Sequence, residues 1–266
     1  MPSRGSSVTV VIPARFGSSR FPGKPLAKLL GKPLIQHVYE RAQASPGVSR
    51  VLVATDDTRI ADAVKGFGGT VVMTTEPFRT GTDRVAGVAR QVPGHIFVDL
   101  QGDEIALHPD LITDLVAPFP ESGAGMGTLK RRLTSAEDLH NPAVVKVVTD
   151  RNGDALYFSR APIPHLRDGS AEGIESRMHY VHLGIYIYTR ETLLRLAELP
   201  TGRLEEAEKL EQLRALEHGI RIRVWETAHA SLRIDTPEDL ERAAVVLQRL
   251  VPRGEGEAKV AVGGKH

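Results

Sequence analysis

Arg15, Arg20 and Lys24 fall close together in the stretch Val8 to Leu34, VTVVIPARFGSSRFPGKPLAKLLGKPL, on a loop that also carries Gly17, Ser18, Ser19, Pro22 and Gly23. Small residues let a backbone approach a ligand closely, and a Gly- and Ser-rich turn can aim several N–H groups at one anion. Three cations on one proline-stiffened loop repel each other unless something negative sits among them, and a nucleoside triphosphate meets that need. The chemistry is phosphate handling. The loop is not a Walker A motif: one residue too many separates Gly17 from the Gly23–Lys24 pair, and Pro25 replaces the magnesium-binding hydroxyl. Nor does a G-x-G-x-x-G open a helix here. On spacing alone, a solvated basic loop after a first strand fits the same residues equally well.

Carboxylates supply the complementary half. In an open α/β sheet, ligands bind at the carboxyl ends of the strands, so the residues after each strand are the candidates. Thr55, Asp56 and Asp57 follow one strand, and Gln101, Gly102, Asp103 and Glu104 follow another. Asp103, after a glycine at a buried strand end, suits a hard cation, because Mg²⁺ favours one or two carboxylates plus phosphate oxygens. A turn-forming or helix-capping role is the competing reading. The basic loop and Asp103 explain each other: cations for the β- and γ-phosphates, a carboxylate for their magnesium. Asp235 is the second candidate, and capping of the helix that follows competes with that role.

The elements that must hold these groups alternate. The β-branched run Val8 to Ile12 reads as a strand buried on both faces. Strands at 51–55, 70–73 and 95–100 alternate with helices at 34–44, 58–65 and 110–116, as a largely parallel sheet requires. Pro33 is expected to open the helix at 34–44 from its first helical position. Strand-like segments at 126–133, 144–149 and 181–188 lack regular helices between them, so antiparallel or mixed pairing is expected there. The loop holding Pro162, Pro164 and residues 167–174 is expected to be mobile. One helix is expected over 204–217, with Leu204, Ala207, Leu210 and Leu213 on its apolar side and Gly219 as its stop. A strand at 220–225 and a helix at 236–249 follow, the latter capped by Thr236, Pro237 and Asp239. Residues 8–250 are expected to form one catalytic domain, and 1–7 and 252–266 to be disordered tails.

Composition sets the bounds. At 266 residues, 41% hydrophobic and 25% charged, the chain has an ordinary globular profile and can bury a sizeable core. A net charge of +1, from 34 basic and 33 acidic residues, argues against a nucleic-acid partner. With no cysteine, disulfides, thiolate catalysis and Cys-bound zinc are excluded. No apolar run reaches the roughly 20 residues that span a bilayer, and no signal peptide precedes the first strand, so no membrane partner and a cytoplasmic enzyme are expected.

The segment Pro13 to Ala42, PARFGSSRFPGKPLAKLLGKPLIQHVYERA, closely resembles the opening of the 3-deoxy-D-manno-octulosonate cytidylyltransferases, or CMP-Kdo synthetases. The likeness continues in order through VATDD (Val53–Asp57), TGTDR (Thr80–Arg84), VDLQGDE (Val98–Glu104) and NPAVVKVV (Asn141–Val148). It then runs through ALYFSRAPIP (Ala155–Pro164), HLGIY (His182–Tyr186), LEQLR (Leu210–Arg214) and IDTPEDLER (Ile234–Arg242). The resemblance implies a three-layer α/β/α nucleotide-diphospho-sugar transferase-like (Rossmann-like) fold with a mixed, mainly parallel sheet. It implies a homodimer, with a dimerisation and sugar-binding part at roughly 126–190. It also implies Mg²⁺-dependent transfer of CMP from CTP to the eight-carbon acidic sugar Kdo, feeding lipopolysaccharide or pectin synthesis.

Carried onto this chain, the family's nucleotide site falls on Arg15, Ser19, Arg20, Lys24, Arg84 and Gln101. Its metal carboxylates fall on Asp103 and Asp235, which with Lys24 are the catalytic groups. Its sugar pocket falls on Gln101, Arg160, His182, Tyr186, Glu211 and Gln212. The sugar's anomeric hydroxyl attacks the α-phosphorus in line, which calls for positioning and charge neutralisation. Arg160 offers a planar fork for the sugar carboxylate, and His182 and Tyr186, four apart on a strand, face one side of the sheet. By residue pattern alone, His182 and Tyr186 read as core packing, Glu211 and Gln212 as a solvated helix face, and His37 as structural. Two departures stand out: Ile105 replaces the family's Pro after QGDE, and Arg233 precedes IDTPEDL, where an outward side chain is expected. A CMP-transferase for another acidic sugar (a sialic-type nonulosonate or amino-Kdo) is the nearest rival, and a non-catalytic nucleotide-binding protein the more distant one.

Overall fold

The computed structural model describes residues 7–17, 21–106, 108–167 and 178–250. Ser19 and Arg20 of the basic loop, residues 168–174 of the expected mobile loop, and residues 1–6 and 252–266 of the expected tails lie outside the described residues. β1 (Val8–Ala14) leads through a 3-10 turn (Lys24–Leu26) and the short pair β2 (Lys28–Leu29) and β3 (Lys32–Pro33) into α1 (Leu34–Gln43). β4 (Val48–Thr55), α2 (Thr58–Gly66), β5 (Val71–Met73), α3 (Gly81–Gln91) and β6 (Ile96–Leu100) continue the alternation. β7 (Glu104–Ala106), α4 (Asp110–Val116), β8 (Met126–Arg132), α5 (Ala136–His140), β9 (Lys146–Thr149) and β10 (Ala155–Ser159) follow. β11 (Tyr180–Thr189), α6 (Arg190–Glu198), α7 (Arg203–Glu208), α8 (Gln212–Glu217), β12 (Ile222–Glu226), β13 (Ser231–Arg233) and α9 (Pro237–Leu250) complete the order.

The main sheet runs β10-β9-β11-β6-β1-β4-β5, with β8 joining β11 to β12. Its first-built half is parallel: β1 pairs with β4 and β6, and β4 with β5. β11 then runs antiparallel to β6, β8 and β9, so the 126–190 region is mixed, as its pattern predicts. Every residue of β1 is buried, which fits a strand covered on both faces. Val10 and Ile12 pack in one apolar layer with Leu34, Val38, Leu111 and Leu247, while Val11 joins Val85, Val88, Leu193 and Leu213 in the other. Those two layers on one sheet make the α/β/α arrangement. Among the described residues, no helix is long and apolar enough to cross a membrane.

Two local expectations are corrected. Pro33 is the N-cap of α1, at φ −57° and ψ 145°, because it still belongs to the β2–β3 ribbon. The single helix expected over 204–217 is two helices, α7 and α8, broken where Lys209 adopts a left-handed φ of 54°. The apolar spacing of Leu204, Ala207, Leu210 and Leu213 survives the break, so periodicity alone misses it. The stop beyond α8 is as expected: the Gly219 and Ile220 amides donate to Leu216 and Ala215 carbonyls.

β11 explains where a ligand can enter. On one edge it pairs with β6 over Ile185–Thr189 and with β9 only at Val181. Between those contacts the sheet parts, and the register of β11 slips between Leu183 and Tyr186. A cavity fills the gap.

Candidate active site

Two cavities open beyond the carboxyl ends of the parallel strands. The larger, about 480 Å³, sits in the fork between β6, β9 and β11. Gln101, Arg160, His182, Tyr186, Glu211 and Gln212, the full set proposed for the sugar, line it. The smaller, about 320 Å³, lies against the loop after β1 and the start of α3, and takes in Arg15, Lys24, Arg84, Gln101, Asp103 and Asp235. Gln101, Asp103 and Arg233 line both.

Asp103 and Asp235 meet through a small ribbon. β7 pairs with β13, Ile105 opposite Leu232, and the Ile234 amide donates to the Asp103 carbonyl at 3.0 Å. Ile105 is fully buried in this ribbon, so the departure from proline is absorbed by packing. Gly102 makes the approach possible, since a Cβ there would lie 3.0 Å from the Pro13 carbonyl oxygen at the end of β1. The competing role for Asp235 is filled by neighbours. Asp239 Oδ2 accepts from the Asp235 and Thr236 amides at 2.9 Å each, and Thr236 Oγ1 accepts from the Asp239 amide. Asp239 and Thr236 thus share the capping of this helix start.

Lys24 Nζ lies between the two carboxylates, donating to Asp103 Oδ2 at 2.6 Å, to the Ile234 carbonyl at 2.8 Å and to Asp235 Oδ1 at 3.5 Å. Arg233 is 61% exposed, as the outward expectation has it, yet its Nε still reaches Asp235 Oδ2 at 3.2 Å. Two carboxylates this close need a counter-cation, and the salt link follows from that. Hard oxygen donors already gathered around positive charge fit a divalent cation.

The segment Thr80–Arg84 is legible residue by residue. Thr80 caps α3, its Oγ1 accepting from the Asp83 amide at 3.1 Å. Gly81 leaves room for the Gln101 carboxamide, whose nitrogen is 2.8 Å from where a Cβ would stand. Thr82 Oγ1 reaches both Glu211 Oε2, at 2.9 Å, and Asp99 Oδ2, at 3.2 Å. Arg84 is largely committed to structure, donating to Thr74 Oγ1 at 2.7 Å and Asp56 Oδ2 at 2.8 Å. Sequence reasoning misses Thr82 and Asp99. The available signal is a carboxylate on the inward strand before QGDE, but a strand carboxylate has no partner visible in sequence.

In the larger cavity, His182 is buried and its imidazole is held near pKa 3 by loss of solvation, hence neutral. Its Nε2 meets Thr128 Oγ1 at 3.0 Å, and that hydroxyl gives its one proton to the Ile185 carbonyl at 2.7 Å. Nε2 must therefore carry the imidazole proton, leaving Nδ1 as an acceptor. The slip in β11 brings the His182 and Tyr186 ring centres to 5.4 Å, where regular strand positions four apart span about 13 Å. Arg160 is anchored by three backbone carbonyls: Nε to Glu208 at 2.7 Å, one terminal nitrogen to Pro142 at 2.8 Å, the other to Lys209 at 3.4 Å. A guanidinium has five N–H groups, so two remain. His37 is structural as expected, its Nε2 2.6 Å from the Leu29 carbonyl oxygen.

Lys146 holds this wall from behind. It is fully buried, and its ammonium donates to the carbonyls of Asn141, Val144 and Arg160. Lys146→Met leaves those acceptors without a donor, a loss of about 1–3 kcal/mol. Thermal melting is expected to show it, together with a larger rise in KM for the cavity's occupant than for the nucleotide.

Elsewhere, His108, Asp110 and His229 bring three ligand-type groups within 4.8 Å of one another. The imidazoles stack at 4.8 Å with only 12° between their planes. A metal must lie in the plane of each ring that binds it, and two stacked planes share no such point. The group is a stacked pair beside a carboxylate.

Residues 9–222 match the family described as cytidylyltransferase. A 3-deoxy-manno-octulosonate cytidylyltransferase of Geobacter sulfurreducens is 53% identical over 92% of this chain and 99% of its own length. One from Syntrophotalea carbinolica is 54% identical over 92% of this chain and its whole length. A solved structure of CMP:2-keto-3-deoxy-manno-octonic acid synthetase complexed with CTP superposes with a TM-score of 0.85 at 43% identity, covering 92% of this chain and 99% of that one. The basic loop, the facing carboxylates and the fold thus sit in a chain that belongs to the 3-deoxy-manno-octulosonate cytidylyltransferase family.

Proposed function

We propose that this chain transfers CMP from CTP to 3-deoxy-D-manno-octulosonate (Kdo), giving CMP-Kdo and pyrophosphate. The observation that carries the reading is the meeting of two cavities at Gln101, Asp103 and Arg233: the smaller gathers Arg15, Lys24 and Arg84 beside Asp103 and Asp235, and the larger sets Glu211, His182 and Tyr186 opposite the guanidinium of Arg160. Triphosphate belongs in the first and the acidic sugar in the second, with the anomeric hydroxyl facing the α-phosphorus at their boundary. Lys24 and Arg15 neutralise the charge that grows on the departing pyrophosphate. Arg160 presents its two remaining N–H groups to the sugar carboxylate, and its three backbone anchors fix their direction. His182 Nδ1 and Glu211 accept from sugar hydroxyls.

Asp103 and Asp235 are the residues that hold Mg²⁺. When bound there, the metal neutralises phosphate oxygens and favours ionisation of the attacking hydroxyl. Lys24 lies on both carboxylates and is freed to follow the phosphates when they are otherwise engaged. We also assign a homodimer, supported by the exposed Leu156 and Met178 in the 126–190 region. A cytoplasmic location follows from the use of CTP.

Pyrophosphate release is expected from CTP, Mg²⁺ and Kdo together, and neither with a sialic acid nor without sugar. Release with the sialic acid in place of Kdo overturns the acceptor, and silence in all three from folded protein overturns the reaction.

A further inference from the structure

Asp99 lies on β6, opposite Tyr186 of β11, and is 1% exposed. Its two oxygens have distinct partners. Oδ1 accepts from Gln101 Nε2 at 2.7 Å, and Oδ2 lies 3.2 Å from Thr82 Oγ1. The same hydroxyl is 2.9 Å from Glu211 Oε2. A threonine hydroxyl has one proton to give and two lone pairs to receive with. If both carboxylates are ionised, one of these contacts sets a lone pair against a buried negative charge. If Asp99 carries a proton on Oδ2, every contact is a hydrogen bond: Asp99 donates to Thr82, and Thr82 donates to Glu211. Gln101 leaves Oδ2 as the oxygen of Asp99 that can hold that proton. Glu211 Oε1 is then left buried without a protein partner at the wall of the larger cavity.

We propose that Asp99 is a positioning residue, kept as the neutral acid, whose proton fixes the direction of the chain through Thr82 and so holds Glu211 Oε1 as an acceptor for a hydroxyl of the sugar. The inference rests on the proposed role of Glu211 as a sugar acceptor. It adds a residue of the buried strand that acts through Thr82 and Glu211.

The surroundings favour the neutral form. Burial, and then the negative charge of Glu211, push the Asp99 carboxyl up to about 8, with Asp103 adding to them. Tyr186 and Tyr188 face it from β11 as phenols raised well above their ordinary range by burial, and Tyr188 also meets Thr82. His182 beside Tyr186 is neutral. Burial pushes the Glu211 carboxyl up as well, but hydrogen bonds from Thr80 and Thr82 and the charge of Arg214 on α8 pull it back, with Asp83 of α3 opposing them. The cation of this set therefore faces Glu211, which is the member that must stay ionised.

The test is kinetics from pH 6 to 10 on the wild type, Asp99→Asn and Thr82→Val. An asparagine supplies the same neutral donor to Thr82 and the same acceptor to Gln101. Asp99→Asn is expected to keep kcat/KM for Kdo within about threefold of wild type at pH 7. It is also expected to lose a fall of about tenfold per pH unit that the wild type shows above pH 8. Thr82→Val, which removes the linking hydroxyl, is expected to raise KM for Kdo about tenfold with KM for CTP unchanged. Three results overturn the proposal: a hundredfold loss in folded Asp99→Asn at pH 7, an alkaline fall that persists in it, or Thr82→Val kinetics like wild type.

Thermal melting without substrate separates this from the acceptor reading. A carboxyl that holds its proton more tightly folded than unfolded lends stability that is lost as pH rises through its folded value. The Tm advantage of Asp99→Asn is therefore expected to grow from pH 5 to about 8 and then level off. A constant Tm difference overturns the neutral Asp99 even if Kdo is the wrong sugar.

Discussion

Asp103→Ala is expected to lower turnover by on the order of a thousandfold while leaving the fold intact. The carboxylate lines both cavities and takes the shortest bond that Lys24 makes, 2.6 Å. Losing it removes one of the two carboxylates proposed to hold the metal and releases Lys24 toward Asp235. The fold is spared because Asp103 joins the β7–β13 ribbon through its main-chain carbonyl, which alanine retains. Its side chain is 21% exposed, so no buried partner is orphaned in the core. Pyrophosphate release and a melting curve on the same sample check both halves. Activity within tenfold of wild type removes Asp103 from the chemistry, and an unfolded variant assigns it to structure instead.

Arg214→Leu is expected to cost about 3–5 kcal/mol of stability, more than the loss of Lys146. The guanidinium is 2% exposed and forks onto Glu205, with Nε 2.7 Å from Oε2 and a terminal nitrogen on Oε1. Asp83 is 3.8 Å away on α3. Burial pushes the Glu205 carboxyl up, but Arg214 outweighs it and holds the group below its ordinary value. Removing the arginine leaves that carboxylate buried and unpaired. A carboxyl lowered in the folded state gives stability that is present above its unfolded value and lost as acid protonates it. The penalty of Arg214→Leu is therefore expected to shrink below about pH 4. Urea unfolding checks it, with Glu205→Met/Arg214→Leu as the control. The double variant is expected to recover much of the loss. If it is no more stable than the single one, the guanidinium matters through packing and not through the pair.

The parallel half of the fold and the basic loop are legible in sequence because both are local. A β-branched strand, a Gly- and Pro-rich turn and an amphipathic helix each carry their own signature, and α2 and α4 appear where periodicity puts them. The failures share a cause. The break at Lys209 is invisible to periodicity because the apolar spacing runs straight through it. Yet the break turns Glu211 from a surface residue into the wall of a cavity. Asp99 reads as an oddity on a buried strand until Thr82 and Glu211, far away in sequence, arrive beside it. Arg233 stays largely exposed, as expected, yet it reaches Asp235, a tertiary contact that no local pattern announces. Arg84 and Arg160 show the converse: cations expected to face ligands are held largely by protein acceptors.

The parting of the sheet has a consequence for how such an enzyme changes over time. At the fork, β9 is attached to β11 by little more than the Val181–Lys146 contact and the bond from the His182 amide to the Val145 carbonyl, 2.8 Å long. β6, on the other side, is locked between β1 and β11. The β9–β10 arm takes its hold instead from its far side, where Lys130 Nζ donates to Thr149 Oγ1, Asp154 bridges to Arg223 of β12 and Ser159 Oγ donates to Glu208. Substitutions of the arm's gap-facing side chains lie apart from the β1, β4, β5 and β6 ladders. Under the proposed assignment, variation in the gap changes the fit of the acceptor while the parallel half of the sheet stays as it is.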